Sequence, residues 1–286
     1  MKIDPLRFYR VKDWIKNLGI PLIGFLTASW LNANLLLIVF ATSLILSYAY
    51  SINNLFDFLI NGEKNYIYYL SKKGVSEKKS ALLCFLPFLI FFLINFYLPI
   101  WASIIGFSCF SLSSLYSFPK VRLKNYWLPS LLVNSVGLGI LLFLFGFFFG
   151  STTISMQSII FMIILFIHIL SLDILHQIAH RKIDKKFGIK TFPQVFGIRK
   201  SLRCIIYLQL IVIFVCLITF LYSLLKYSIF LGSILFSFLK IRRILKCLRS
   251  IYKIDYNVLR NKMYGMWEGI FYVVFLLMRQ YFVFPY

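Results

Sequence analysis

The chain alternates between long apolar runs and short connections that hold most of its charge. A helix of about 20 apolar residues crosses a bilayer, and runs of this length are too long for the core of a soluble domain of this size. Nine runs have this character, and they predict membrane helices over roughly 18–32, 35–60, 80–98, 101–117, 127–149, 154–178, 202–224, 227–241 and 268–284. We therefore expect an all-α, polytopic membrane protein whose nine transmembrane helices form a single integral membrane domain over residues 1–286.

The net charge of +22 is distributed over alternate connections between the runs. A nucleic-acid-binding protein gathers such charge on one soluble face, whereas here Lys and Arg cluster near residues 2–16, 64–79, 120–124, 181–190 and 240–253. An excess of Lys and Arg marks the cytoplasmic side of a membrane. The pattern therefore predicts a multi-pass integral protein of a prokaryotic cell membrane, with a cytoplasmic N-terminus and no nucleic-acid partner.

The second apolar run ends in "YSINNLFDFLIN", which carries four polar side chains at membrane depth: Asn53, Asn54, Asp57 and Asn61. Residues four apart share a helix face, so Asn53, Asp57 and Asn61 form a polar row with Asn54 beside it. We call these four residues the first stripe.

The sixth run ends in "DILHQIAHRKID", where a second stripe of polar residues recurs every three to four positions: Asp173, His176 or Gln177, His180 and Asp184. Ionisable groups at such depth rarely face lipid and by default mark a functional cavity. The two stripes are therefore expected to face each other across a water-accessible polar cavity at the cytoplasmic end of the helical bundle.

A third polar cluster, "YSFPKVRLK", follows the fourth run. Pro119 cannot continue a helix without strain. Lys120, Arg122 and Lys124 are therefore expected on extended backbone at the membrane surface, where they would place cations beside the carboxylates.

Carboxylates and amides beside Lys and Arg suit Mg²⁺ and a phosphorylated substrate, because Mg²⁺ binds one or two carboxylates, waters and phosphate oxygens. At a membrane surface such a substrate carries a lipid tail. Plainer roles remain open: the first stripe could be a polar contact between helices, and His176 and His180 could bond backbone or headgroups. His168 is interpreted as a packed, hydrogen-bonded residue, and the charges near 181–190 and 240–253 as solvated or bound to headgroups.

These segments resemble, in the same order along the chain, the motifs of the UbiA superfamily of intramembrane prenyltransferases. "NNLFDFLIN" is similar to its N-D-x-x-D-x-x-x-D motif, and "HRKIDKKFGIKTFPQVFG" to its second D-x-x-x-D motif with a G-x-x-T-x-P-x-x-x-G tail. "YSFPKVRLK" matches a Tyr-x-x-x-Lys element through Tyr116 and Lys120, and "RVKDWIKN" resembles a W-x-K-N segment that phosphoribosyl-transferring relatives also have. Together these landmarks cover most of residues 7–200.

The resemblance implies an active site, open to the cytoplasm and to lipid, in which Mg²⁺ bridges Asp side chains to an isoprenyl diphosphate. The residues implied as catalytic are Asp57, Asp184, Lys120 and Tyr116. The implied metal ligands are Asp57, Asp184, Asn53 and Asn61. Substrate-binding roles would fall to Asn53, Asn54, Asn61, Arg122, Lys124, His176 and His180.

This chain departs from the family pattern at three positions. Asn54 and Asn61 stand in place of Asp in the first motif, and His180 stands in place of the leading Asp of the second. Each Asn keeps a carbonyl ligand but loses a negative charge, and His is a poorer partner for Mg²⁺ than a carboxylate. A site built for two Mg²⁺ ions is therefore expected to hold one at most, with weakened metal binding, a changed donor or lost catalysis.

The expected function is Mg²⁺-dependent transfer of an isoprenyl chain from a prenyl diphosphate to an aromatic or lipid acceptor at the membrane. An allylic carbon–oxygen bond ionises, preorganised cations stabilise the departing diphosphate, and the acceptor attacks the carbocation while His176 or His180 takes the released proton. Two alternatives are phosphoribosyl transfer to polyprenyl phosphate and a non-catalytic role in binding prenyl lipid or another membrane protein.

Overall fold

The computed structural model describes residues 3–221, 227–249, 256 and 265–281. In these parts of the chain, α-helices follow one another with short turns between them. In chain order the helices are α1 (Pro5–Phe8), α2 (Val11–Trp14), α3 (Gly19–Ala28), α4 (Asn34–Asn61), α5 (Tyr66–Lys72), α6 (Glu77–Ile94), α7 (Ile100–Ser117), α8 (Trp127–Ser135), α9 (Leu142–Phe147), α10 (Met156–Lys186), α11 (Phe192–Phe196), α12 (Ile198–Leu221), α13 (Tyr227–Arg249) and α14 (Gly265–Tyr281).

Six helical segments among the described residues are long and apolar enough to cross a membrane: Asn34–Asn61, Glu77–Tyr97, Ile100–Ser117, Trp127–Phe147, Met156–Lys186 and Ile198–Leu221. They coincide with six of the nine predicted runs. The first run holds only the ten-residue helix α3, and the last two runs correspond to α13 and α14. Residues 222–224 and 282–284 of the predicted runs lie outside the described residues. The all-α prediction is confirmed, and the count of nine membrane helices stays a prediction.

Side-chain caps and a glycine define the ends of the helices that carry the stripes. The Ser155 hydroxyl accepts the Ser158 amide N–H where α10 begins, as expected of an N-cap serine. After α4 comes Gly62, whose φ of 62° lies in the left-handed region that favours glycine. Its N–H donates to the Phe58 carbonyl at 2.9 Å. The first stripe therefore occupies the last turns of α4.

The chain divides into two compact units. Unit 1 comprises Met1–Leu123 and Leu141–Gly150, and unit 2 comprises Lys124–Ile140 and Ser151–Tyr286. In unit 1, α4 packs against α6 and α7, and α3 packs against α9. In unit 2, α12 packs against α10 and α13, and α10 packs against α8. The first stripe lies in unit 1 and the second in unit 2, so the single domain and the shared cavity stay predictions.

The α3–α9 contact in unit 1 depends on two glycines. A Cβ atom at Gly24 would overlap the carbonyl oxygen of Phe143, and a Cβ atom at Gly146 would overlap that of Pro21. Small residues allow helix backbones in a membrane to approach this closely. Because the colliding atoms belong to backbone, side-chain movement could not relieve either overlap.

Three buried ionisable side chains join α10, α13 and α14 within unit 2. Lys240 Nζ lies 2.5 Å from Glu268 Oε2 and 3.0 Å from His168 Nδ1, and His168 Nε2 lies 3.0 Å from Glu268 Oε1. Their side chains are at most 6% exposed, and we call them the buried triad. The interpretation of His168 as a packed, hydrogen-bonded residue is confirmed. The interpretation of Lys240 as a solvated charge is wrong, because its ammonium group is paired with a carboxylate between helices.

Candidate functional site

A buried ion pair holds the first stripe in unit 1. Arg122 Nη2 lies 3.0 Å from Asp57 Oδ1, and Arg122 Nη1 donates to Asn61 Oδ1 at 3.3 Å. Arg122 is 6% exposed and Asp57 is 7% exposed. Residues four apart on a helix are neighbours, so one guanidinium group contacts both side chains. Asp57 and Asn61 therefore share a face, as the spacing predicts, and that face meets an arginine.

The turn after α7 brings Arg122 to this position. Phe118, which precedes Pro119, is extended with φ −62° and ψ 138°, as is usual before proline. The Arg122 amide N–H then donates to the Phe118 carbonyl at 2.7 Å, and its own φ of 36° is left-handed. The expectation of extended backbone at the membrane surface is wrong for Arg122, because this turn directs its side chain to a buried carboxylate. It is also wrong for Lys124, which lies in a 3₁₀ turn and is buried.

A second arginine, Arg10, contacts the first stripe from the N-terminal arm. Its Nη1 donates to Asn54 Oδ1 at 3.2 Å, and its Nε donates to Asp13 Oδ2 at 2.7 Å. The guanidinium carbon lies 5.3 Å from the centroid of the Tyr50 ring, within the range of a cation–π contact. The sequence analysis includes Arg10 among the N-terminal cations and in the "RVKDWIKN" segment, but assigns it no role at the site. Its place at the beginning of that segment is the signal that could have identified it.

Two hydrogen bonds fasten the arm that carries Arg10. The Tyr9 hydroxyl donates to the Leu83 carbonyl at 2.9 Å, and Trp14 Nε1 donates to the Tyr9 carbonyl at 2.6 Å. Burial raises the pKa of Tyr9, so this hydroxyl keeps its proton and remains a donor around neutral pH. Arg10 has a φ of 55°, which costs a residue other than glycine about 1–2 kcal/mol. The anchored arm holds it in that conformation.

The other residues predicted for unit 1 differ in their exposure. Asn53 and Tyr116 are half-buried, and Lys120 is exposed. The structure therefore brings together Asp57, Asn61 and Arg122 as one contact group and Asn54 and Arg10 as another. Lys120 keeps the surface position that its sequence context predicts.

In unit 2, side-chain amides surround Asp173 at the beginning of the second stripe. Asn134 Nδ2 donates to Asp173 Oδ1 at 3.2 Å, and Gln177 Nε2 donates to Asp173 Oδ2 at 3.1 Å. Gln177 Oε1 also accepts the Phe192 amide N–H at 3.0 Å. Of the two residues predicted for this position of the stripe, Gln177 is buried and His176 is exposed. The network therefore connects α10 with α8 and α11.

The later part of the second stripe lies beside the turn that follows α10. The rings of His176 and His180 have centroids 4.4 Å apart. Asp184 is half-buried, and its backbone carbonyl accepts the Ile189 N–H at 3.0 Å. Gly188 has a φ of 70°, so the first glycine of the G-x-x-T-x-P-x-x-x-G tail has a conformational role in closing this turn.

As it stands in unit 1, the first stripe does not fit a Mg²⁺ site. The Asp57 carboxylate pairs with Arg122, and the amide oxygens of Asn54 and Asn61 accept from Arg10 and Arg122. Mg²⁺ requires a near-octahedral set of oxygen ligands, and an ion here would meet two guanidinium cations. Within the described ranges, no group of three or more His, Cys, Asp or Glu side chains comes together that could hold a metal ion.

Long apolar helices that end in buried ionic and amide clusters define an integral membrane protein with polar clusters at its helix ends. A sequence profile described as the UbiA prenyltransferase family matches residues 19–254, a range that contains both stripes. The match covers most of the chain. The chain therefore belongs to the UbiA prenyltransferase family.

Solved structures of similar fold agree with this assignment. A UbiA homologue from Archaeoglobus fulgidus bound to DMAPP and Mg²⁺ is 19% identical, has a TM-score of 0.77, and matches over 96% of this chain and 99% of that chain. The same homologue bound to GPP and Mg²⁺ has 18% identity and a TM-score of 0.78, with the same coverage. An apo UbiA homologue from Aeropyrum pernix K1 has 17% identity and a TM-score of 0.69 over 91% of this chain and 98% of that chain. Comparison with curated protein sequences gave no significant match.

Proposed function

We propose that this protein transfers an isoprenyl group from a prenyl diphosphate to an aromatic or lipid acceptor in the membrane. The observation that carries the proposal is the UbiA family match over residues 19–254, which includes both polar stripes. The Archaeoglobus fulgidus homologue of similar fold was solved with DMAPP and with GPP, two short prenyl diphosphates. We assign the site to the cytoplasmic side, because the basic connections of the sequence cluster there.

The residues of unit 1 support binding of a diphosphate group. Arg122 is held at the end of α4 by Asp57, and Lys120 is exposed on the same loop. Guanidinium groups bind phosphate oxygens with a fork of parallel N–H donors, and an ammonium group adds a point charge. In the proposed reaction these cations stabilise the diphosphate as the allylic carbon–oxygen bond breaks and its electron pair leaves with the oxygen.

The remaining steps join the acceptor to the prenyl chain. The acceptor nucleophile bonds to the first carbon of the allylic cation and releases a proton, for which we propose His176 or His180 as the base. Tyr116 completes the set of side chains assigned to the catalytic site. The cofactor Mg²⁺ stays a prediction for this chain, with Asp184 and Asn53 as its remaining candidate ligands, and it would supply positive charge near the diphosphate.

Loss of the motif carboxylates is expected to abolish transfer. In membranes that contain the protein, radiolabelled prenyl diphosphate should yield a labelled lipid product. Asp57→Asn or Asp184→Asn should lower its rate of formation by about 100-fold or more, as removal of preorganised charge at a reacting diphosphate does. Glu77→Gln, which removes an exposed carboxylate at the beginning of α6, is the matched control and should retain the rate of the unchanged protein.

The same assay separates the alternatives. Label transferred from phosphoribosyl diphosphate to polyprenyl phosphate would select the phosphoribosyl activity. Saturable binding of prenyl diphosphate without a labelled product, for every acceptor class tried, would instead indicate a non-catalytic lipid-binding protein.

A further inference from the structure

Two buried N–H donors at the first stripe have no hydrogen-bond partner among the residues that the structure describes: Arg122 Nε and Asn61 Nδ2. Only 6% of the surface of Arg122 is exposed. A buried donor without an acceptor is unfavourable, especially on a charged group. Both unpaired groups are donors, so an acceptor would satisfy them and a cation would not.

The orientation of the amides follows from the arginines. A guanidinium group can only donate, so the atom of Asn61 that faces Arg122 Nη1 must be its carbonyl oxygen. The same reasoning turns Asn54 Oδ1 toward Arg10. An aspartate at position 61 would offer a second oxygen in place of the amide group, whereas asparagine offers an N–H donor. Asn61 therefore places an N–H donor where the family motif has an acceptor.

Both arginines at the first stripe are already paired with carboxylates. Arg122 pairs with Asp57, and Arg10 pairs with Asp13. The Arg122 guanidinium has five N–H donors. Nη1 donates one to Asn61 and Nη2 donates one to Asp57, while Nε has no partner among the described residues. A phosphate group beside Arg122 would offer separate oxygens as acceptors to Arg122 Nε and to Asn61 Nδ2.

We propose that the first stripe binds the substrate diphosphate directly, with Arg122 bridging Asp57 and a phosphate oxygen, and that this binding requires no divalent metal. The guanidinium group takes the position between carboxylate and phosphate that a metal ion would otherwise occupy. The inference rests on the proposed function, because that function supplies the diphosphate as ligand. The inference adds that this chain binds the diphosphate without a metal ion.

The test measures binding and not turnover. The full chain, purified in lipid nanodiscs, is titrated with geranyl S-thiolodiphosphate, which ionises far more slowly than the natural ester, in excess EDTA and in excess Mg²⁺. Binding in EDTA is expected to persist, with a dissociation constant within about tenfold of that in Mg²⁺. If EDTA abolishes binding and Mg²⁺ restores it, or if no binding occurs in either solution, the proposal is overturned.

Three variants locate the contact. Arg122→Gln should weaken binding in EDTA by about 10- to 100-fold, as loss of charge-assisted hydrogen bonds does. Arg122→Lys keeps the charge but loses the fork, so it should recover only part of the affinity. Lys78→Gln removes one exposed cation of unit 1 and serves as the charge-matched control, with an affinity equal to that of the unchanged protein. Equal affinities for Arg122→Gln and Lys78→Gln would contradict the proposal.

A substitution that restores the family residue provides a test that does not depend on losing Arg122. Asn61→Asp removes an N–H donor and adds a carboxylate oxygen, so binding in EDTA should weaken and the stimulation by Mg²⁺ should increase. If this variant binds in EDTA as tightly as the unchanged protein, the donor role of Asn61 is refuted. Metal-free binding without transfer to any acceptor would refute the proposed function but support this inference. Transfer together with strictly Mg²⁺-dependent binding would support the proposed function but refute this inference.

Discussion

Glu268→Gln is expected to lower the free energy of unfolding of the full chain by about 3–5 kcal/mol, because it leaves the buried Lys240 charge without a counter-charge. Lys240 is fully buried, and Glu268 Oε2 is its carboxylate partner at 2.5 Å. Glutamine keeps the size of the side chain, so the effect reports charge and not a cavity. The measurement is a denaturant titration in detergent micelles, followed by circular dichroism.

Two further variants test whether Glu268 stabilises the protein by pairing with the Lys240 charge or by other polar contacts. Replacing both partners, Lys240→Met with Glu268→Leu, should recover most of the lost stability, since exchanging a buried ion pair for apolar residues is often neutral or stabilising. The exposed pair between Arg7 and Asp4 is the control, and Asp4→Asn should change stability far less than Glu268→Gln does. If the double variant were less stable than Glu268→Gln alone, the triad would owe its stabilising effect to contacts other than this ion pair.

Gly146→Ala is expected to cost about 3 kcal/mol of unfolding free energy, at the upper end for an overpacked site. Its Cβ would overlap the carbonyl oxygen of Pro21, and α3 and α9 would have to separate to make room. Gly24→Ala places a Cβ against Phe143 at the same helix contact and should behave in the same way. The yield of folded protein after detergent extraction and its thermal midpoint measure the effect.

Gly19→Ala is the matched control, because a Cβ at Gly19 meets nothing within 4 Å. This variant should be neutral or slightly stabilising, since alanine favours helix by about 1 kcal/mol over glycine. Because Gly24 and Gly146 act at one contact, the double alanine variant should cost less than the sum of the two single variants. Additive costs would show that the two overlaps are relieved independently.

These two predictions concern features that sequence reasoning treats in different ways. Gly24 and Gly146 lie in apolar runs that were predicted as membrane segments, but nothing in a run shows which glycine meets a neighbouring backbone. Lys240 begins a basic cluster and was interpreted as a solvated charge. Hydropathy averages over a window of residues, and it does not report which way a single side chain points from a helix.

The sequence predicted the positions of the polar stripes better than it predicted the cations that contact them. Asp57 and Asn61 share a helix face because helical spacing is a local property, and the structure confirms this placement. The proline rule also predicted correctly where α7 ends, because the fourth run was expected to stop before Pro119. It did not predict the left-handed turn at Arg122, whose φ is 36° and whose side chain contacts Asp57 on α4.

By itself, the sequence determined that the protein is an all-α membrane protein with two polar helix ends, and its motifs resembled those of the UbiA superfamily in the correct order. Apolar run length and polar spacing are properties of neighbouring residues, so they can be read along one chain. Only the tertiary structure decided which cations meet the polar side chains. The contacts Arg10–Asn54, Arg122–Asp57 and Lys240–Glu268 join residues 44, 65 and 28 positions apart. Spacing along the chain carries no information about such pairs, because their partners are selected by how the helices pack.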